Sequence, residues 1–178
     1  MAVLFRVLYR LEVVGRVPPG PCVVAANHES LLDPLLLALA ADQPLHYLAK
    51  EELWRTRPGA WLADAYGAIP VARGRGDRAA LARAGAVLEA GETVGIFPEG
   101  AVRDGVWSRG AARLALAHGV PLVPVRIVGS ARALSRRRLG LPRIRVVVGE
   151  PIAVERAAAT VAVARTLTDE LRERIRTL

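Results

Sequence analysis

His28 and Asp33 stand five residues apart in Asn27-His28-Glu29-Ser30-Leu31-Leu32-Asp33, and an imidazole beside a carboxylate is the pairing that makes a general base. A carboxylate bonded to one ring nitrogen fixes the tautomer and strengthens the other nitrogen as a proton acceptor. That second nitrogen can take the proton of a hydroxyl attacking an acyl carbonyl, as in a Ser-His-Asp triad whose hydroxyl comes from the substrate instead. On a regular helix the two side chains would point about 140° apart, so a turn must fold the carboxylate back onto the ring. Spacing alone leaves a second reading open, in which Asp33 only caps a helix and His28 only occupies a loop.

Two further stretches carry charge where chemistry could use it. Arg73, close to Arg75, Gly76 and Arg78, follows an apolar run, and a guanidinium beside glycines can grip a phosphate bidentately. Arg75 and Arg78 read better as a solvated basic loop. Phe97-Pro98-Glu99-Gly100 sets a carboxylate on a rigid turn just past another apolar run. Glu99 can bond an acceptor hydroxyl, hold a neighbouring Arg, or satisfy local backbone N–H groups. His46 and His118 fall away from these stretches, on a strand edge and a helix end. Three scattered His and a single Cys, Cys22, offer no zinc-ligand spacing, and no metal site is expected. Cys22 lies in an apolar run and reads as packing. No P-loop, nucleophile elbow or dinucleotide fingerprint is present.

The elements that must position these groups follow from the pattern. Cys22–Ala26 is a short apolar run of the kind that forms a buried strand, and Asp33-Pro34 opens a helix over residues 35–41. His28 therefore sits where a strand ends and Asp33 where a helix begins. Further strands are expected at 11–15, 45–49, 67–72, 93–97, 120–128 and 144–148. Helices are expected at 50–54, at 60–66 after a break at Pro58-Gly59, from an Asp77 cap to Ala90, from a Ser108 cap to His118, and at 161–176. Gly91 and Gly119 stop two of them. Strands alternating with helices make an α/β domain with a mixed, largely parallel sheet flanked by helices. Its sites gather at strand ends, where His28 and Glu99 both fall. Trp54, Trp61 and Tyr66 recur at roughly helical spacing, as core, as cover or as a lipid-facing rim. Residues 1–178 read as one domain.

Taken together, the motifs resemble those of the 1-acylglycerol-3-phosphate acyltransferase family of glycerolipid acyltransferases. Residues 27–33 resemble its NHxxxxD motif, Gly67–Arg73 its second block, Phe97–Gly100 its third and Val120–Ile127 its fourth, all in order. The likeness runs from about residue 11 to about residue 150. It implies a glycerolipid-acyltransferase-like fold and transfer of a fatty acyl group to the hydroxyl of lysophosphatidic acid or of another lysophospholipid, aminolipid or glycolipid. The donor would be a coenzyme A or acyl carrier protein thioester, with no further cofactor. His28 and Asp33 would be catalytic, while Asn27, Arg73, Glu99, Gly100 and Arg103 would bind substrate, Arg73 on the acceptor's phosphate. The family continues its third block with Thr-Arg-Ser, whereas this chain reads Ala101-Val102-Arg103. The guanidinium is thus displaced to Arg103, or replaced by Arg109.

Composition narrows the partners. The net charge is +8, and removing Lys50 from 25 basic residues leaves 24 arginines. Such a surface suits anionic headgroups, nucleic acid or an acidic protein. Basic residues interleaved with aromatics, as nucleic-acid binding would require, are missing, and no nucleic-acid partner is expected. Arg132, Arg136, Arg137, Arg138, Arg143 and Arg145 form the densest run, a solvated face able to attract anionic lipid or acidic carrier protein. No signal peptide is evident, and no apolar run reaches the roughly 20 residues that span a bilayer. Residues 1–10 read as an amphipathic segment that either lies in a membrane interface or packs on the domain. A peripheral or monotopic position on the cytoplasmic face of the cell membrane is the expectation.

Overall fold

The computed structural model describes residues 9–71, 78–99, 107–133 and 143–178. Within them, seven strands form one sheet: β1 (Glu12–Val14), β2 (Val23–Ala26), β3 (Leu45–Lys50), β4 (Ile69–Val71), β5 (Thr93–Ile96), β6 (Leu122–Val128) and β7 (Arg145–Val148). Their spatial order is β1-β7-β6-β2-β5-β3-β4. The run from β6 to β4 is parallel throughout, β7 is antiparallel to β6, and β1 is parallel to β7. The mixed, largely parallel sheet read from the sequence is the one observed.

Among the described residues five helices flank it: α1 (Asp33–Ala41), α2 (Arg57–Ala65), α3 (Arg78–Glu89), α4 (Gly110–His118) and α5 (Val161–Thr177), with 3-10 turns at Glu51–Arg55 and Ser130–Arg132. Central parallel strands covered on both faces are apolar throughout, because neither set of alternating side chains meets water. Every residue of β2 and β5 is buried. Val24 and Ala26 join the core beneath α1 with Leu36, Leu37 and Val125. Val23 and Ala25 join the opposite core with Val94, Leu114, Leu122 and Leu171. Cys22 is buried at 3.7 Å from Thr93 Oγ1, and burial pushes its thiol up, in keeping with a packing role.

Three local expectations need correction. Pro58 and Gly59 do not break a helix; they lie in the first turn of α2, where Pro has no N–H to lose, and Thr56 caps that turn through the N–H of Gly59. Ser108 does not cap α4, whose N-cap is Arg109; the Ser108 N–H instead donates to the Pro98 carbonyl. His46 lies within β3, paired with Val94 of β5, rather than on a strand edge. Gly119 does close α4, at φ +65°. The expected Asp77 cap, most of residues 1–10 and Arg136–Arg138 lie outside the described residues.

Candidate active site

β2 and β5 are neighbours in register, with Ala25 opposite Ile96, so the chain leaves both strands side by side at their C-terminal ends. The exit from β2 is held by Asn27. Its carboxamide donates to the Ile127 carbonyl at 2.9 Å and accepts from the Ile127 N–H at 2.7 Å. The side chain thereby continues the sheet ladder as a peptide would, while the backbone turns away. That turn carries His28 out of the sheet.

The next five residues fold the chain onto itself. Asp33 Oδ2 accepts from the backbone N–H groups of Glu29 at 2.6 Å and Ser30 at 2.7 Å, and from His28 Nδ1 at 2.9 Å. Asp33 thus does not cap its own helix, as the sequence suggested; its carboxylate closes the turn that precedes it. The group is fully buried, and its other oxygen has no hydrogen-bond partner among the described residues. Two N–H donors, the imidazole and the positive end of α1 stabilise the buried anion. With Nδ1–H committed to Asp33, the lone pair of His28 lies on Nε2, which has no partner among the described residues.

An aromatic stack backs the imidazole. Phe97 lies 4.4 Å from the His28 ring, with planes 25° apart. Tyr47 stands behind Phe97 at 6.2 Å, and Tyr66 meets Tyr47 edge-on at the same separation. The Tyr47 hydroxyl donates to the Pro34 carbonyl at 2.8 Å, one residue past Asp33. Burial pushes this phenol far up and keeps it a donor. One side chain therefore braces both the ring behind His28 and the helix start that bears Asp33. The stack needs Gly95, because a Cβ there would come within 2.7 Å of the Tyr47 ring.

Glu99 follows the stack on the Pro98 turn. Burial pushes its carboxyl up, while the backbone N–H of His28 and the imidazole pull the other way. His28 and Glu99 open onto a cavity of about 320 Å³ that Asn27, Glu29, Trp107, Arg126, Arg172 and Arg176 also line. Asn27, His28, Asp33 and Glu99 are thus brought together, while Arg73, Gly100 and Arg103 lie outside the described residues.

The comparisons bear on what this arrangement is. A family model described as Acyltransferase matches residues 10–128. The chain belongs to this acyltransferase family. It is 38% identical over 140 residues to the lyso-ornithine lipid O-acyltransferase of Pseudomonas aeruginosa, covering 75% of this chain and 50% of that protein. It is 30% identical over 134 residues to the 1-acyl-sn-glycerol-3-phosphate acyltransferase of Bacillus subtilis, covering 73% of this chain and 66% of that one. The chain therefore spans half to two-thirds of the length of these acyltransferases. Its fold matches the crystal structure of the 1-acyl-sn-glycerophosphate acyltransferase PlsC from Thermotoga maritima with a TM-score of 0.69 and 21% identity, over 99% of this chain and 77% of that one.

Several site residues escaped the sequence reading. Arg126 could have been found, since a charge inside the apolar run of residues 120–128 has no packing reason to be there. Tyr47 could not, because one aromatic in a strand looks like any core residue. Arg172 and Arg176 look like the ordinary solvent face of a helix. Of the remaining aromatics, Trp61 is 72% exposed, Trp54 donates to Asp64, and Tyr66 packs on the core, so one spacing yields three environments. Among the described residues, no group of His, Cys, Asp and Glu could hold a metal ion.

Proposed function

We propose that this protein transfers a fatty acyl group from a coenzyme A or acyl carrier protein thioester to the free hydroxyl of lysophosphatidic acid, without a further cofactor. The observation that carries the reading is His28, which lines the cavity, is held through Nδ1 by a buried carboxylate, and has no partner for Nε2 among the described residues. Nε2 takes the proton of the acceptor hydroxyl as its oxygen attacks the thioester carbonyl. The tetrahedral intermediate then collapses, the C–S bond breaks, and the imidazolium returns its proton to the departing thiolate. Asn27, Glu99 and Gly100 would bind the acceptor and Arg73 its phosphate, following the family motifs they match, while Arg103 would help to position the acceptor in place of the displaced family arginine.

The protein would work at an anionic membrane surface, peripherally or as a monotopic protein on its cytoplasmic face. The net charge of +8 supports this, as do exposed apolar groups: Leu31, 75% exposed on the turn between His28 and Asp33, and Trp61. Among the described residues no helix is long and apolar enough to cross a membrane. A second acceptor, lyso-ornithine lipid, is favoured by the 38% identity to an enzyme named for it.

The test is thiol release from palmitoyl-coenzyme A in anionic vesicles with each acceptor, for wild type and His28→Ala. Release that needs both acceptor and His28 is expected, with the variant slowed about 10²–10⁴-fold, the usual worth of a general base. A folded His28→Ala protein turning over at the wild-type rate would refute the mechanism, and the preferred acceptor decides between the two lipids.

A further inference from the structure

The cavity that holds His28 has a second wall, built by two arginines beyond the family match and by Arg126 inside the fourth block, none of them given a role above. Arg172 and Arg176 lie one turn apart on α5, beyond the residues matched by the family model, and Arg126 reaches the same cavity from β6. Residues four apart on a helix share a face. The three guanidinium groups differ in how they are already held. Arg176 pairs with Glu173 at 2.9 Å. Arg126 donates one N–H to the Arg176 carbonyl and keeps its other donors. Arg172 forms no ion pair among the described residues, and its Cζ stands 6.0 Å from the centre of the Trp107 ring. A guanidinium resting on an aromatic face is positioned yet keeps its fork for a ligand.

Among the described residues of the lining, three cations on one wall outnumber two carboxylates, Glu29 and Glu99, and Glu99 is held back from ionising by burial. The guanidinium fork is the group best matched to a phosphate ester. Resting on the acyl-transfer reading above, both kinds of substrate meeting at His28 carry one: coenzyme A as donor, lysophosphatidic acid as acceptor. We propose that Arg126, Arg172 and Arg176 form a phosphate subsite of the His28 cavity that holds a phosphate group of one of these substrates.

Arg172→Gln is the leading variant, because Arg172 is exposed and supports no described ion pair. Steady-state kinetics should show KM for the phosphate-bearing substrate raised about tenfold, the usual worth of a charge-assisted bond, with kcat nearly unchanged. Arg172→Lys should recover part of the loss, and Arg174→Gln, off the cavity on the same helix, should behave as wild type. Two arms identify the phosphate. If the donor carries it, the defect vanishes with an N-acetylcysteamine thioester, which has no phosphate. If the acceptor carries it, the defect vanishes with monoacylglycerol. A defect that persists with both phosphate-free substrates, or KM values all within twofold of wild type, overturns the proposal. Should wild type transfer no acyl group, the subsite is still read by calorimetric titration with coenzyme A and with lysophosphatidic acid. Binding of either probe that weakens about tenfold in Arg172→Gln supports it, and binding of neither, or equal binding by both proteins, overturns it.

Discussion

His28 and His46 each stand beside a carboxylate, at 2.9 Å from Asp33 and 2.5 Å from Glu92, yet the two pairs are built for different ends. His46 spends both nitrogens: Nδ1 on the Gly67 carbonyl at 3.1 Å, Nε2 on Glu92. Its carboxylate is half exposed, and the pair ties β3 to the start of β5. His28 spends one nitrogen on a carboxylate that is fully buried and held by two backbone N–H groups, and keeps the other toward a cavity. The shorter contact is thus the one without a free nitrogen. What distinguishes a base from a strut is the unspent nitrogen and the immobility of the partner, not proximity.

Four substitutions would break or sharpen that contrast. The largest effect is expected from Asp33→Asn. The amide loses the charge that holds the Nδ1–H tautomer; its oxygen, in the place of Oδ2, is a weaker acceptor for the three donors, and its NH₂, in the place of Oδ1, finds no acceptor among the described residues. Activity should fall by about 10²-fold or more, and stability by about 1–3 kcal/mol from unsatisfied buried groups. Steady-state rates alongside thermal melts measure both, and a near wild-type rate would mean that Asp33 is only a turn former. Gly95→Ala comes next. The new methyl displaces the Tyr47 ring, so overpacking should cost about 1–3 kcal/mol and the loosened stack should lower kcat while leaving KM nearly unchanged. A variant with an unaltered melt and unaltered kcat would show that the stack is not what braces His28.

Glu99→Gln separates positioning from stability through pH. Because burial raises the folded-state pKa of Glu99 above its usual value, the folded protein binds the extra proton and stability falls as pH rises through that window. Gln removes the dependence. The melting temperature of the variant relative to wild type should therefore climb from pH 4 to pH 7, and a flat difference would contradict the burial argument. His46→Gln should do least: activity within about twofold, with about 1 kcal/mol of stability lost, since partly exposed pairs are weak and one carbonyl loses its donor. A large loss of activity there would erase the contrast between the two histidines.

The parts legible in the sequence are those where burial acts on both faces of an element at once. β2 and β5 appear as continuous apolar runs and β6 as one interrupted by Arg126, and glycine at a left-handed position marks the end of α4, so strand order apart, the architecture could be read. The pairing of His28 with Asp33 was legible as a spacing, but its geometry was not. Asp-Pro also reads as a helix cap, so the carboxylate folded back onto the ring was one of two readings, and only the fold shows that it closes the turn through the Glu29 and Ser30 N–H groups as well. Pro58-Gly59 misled for a related reason, since the same residues end a helix or begin one according to which side the next turn forms. The α5 wall of the cavity was invisible. Arg172 and Arg176 reach the site through the packing of a distant helix on β6, which no local pattern encodes.

The carboxamide of Asn27 has one more consequence. Because it supplies the acceptor for the Ile127 N–H, that amide hydrogen is shielded from solvent only while the Asn27 side chain stays seated. One peptide bond joins Asn27 to His28. The exchange rate of a single strand amide in deuterated water therefore reports how often the anchor beside His28 lets go.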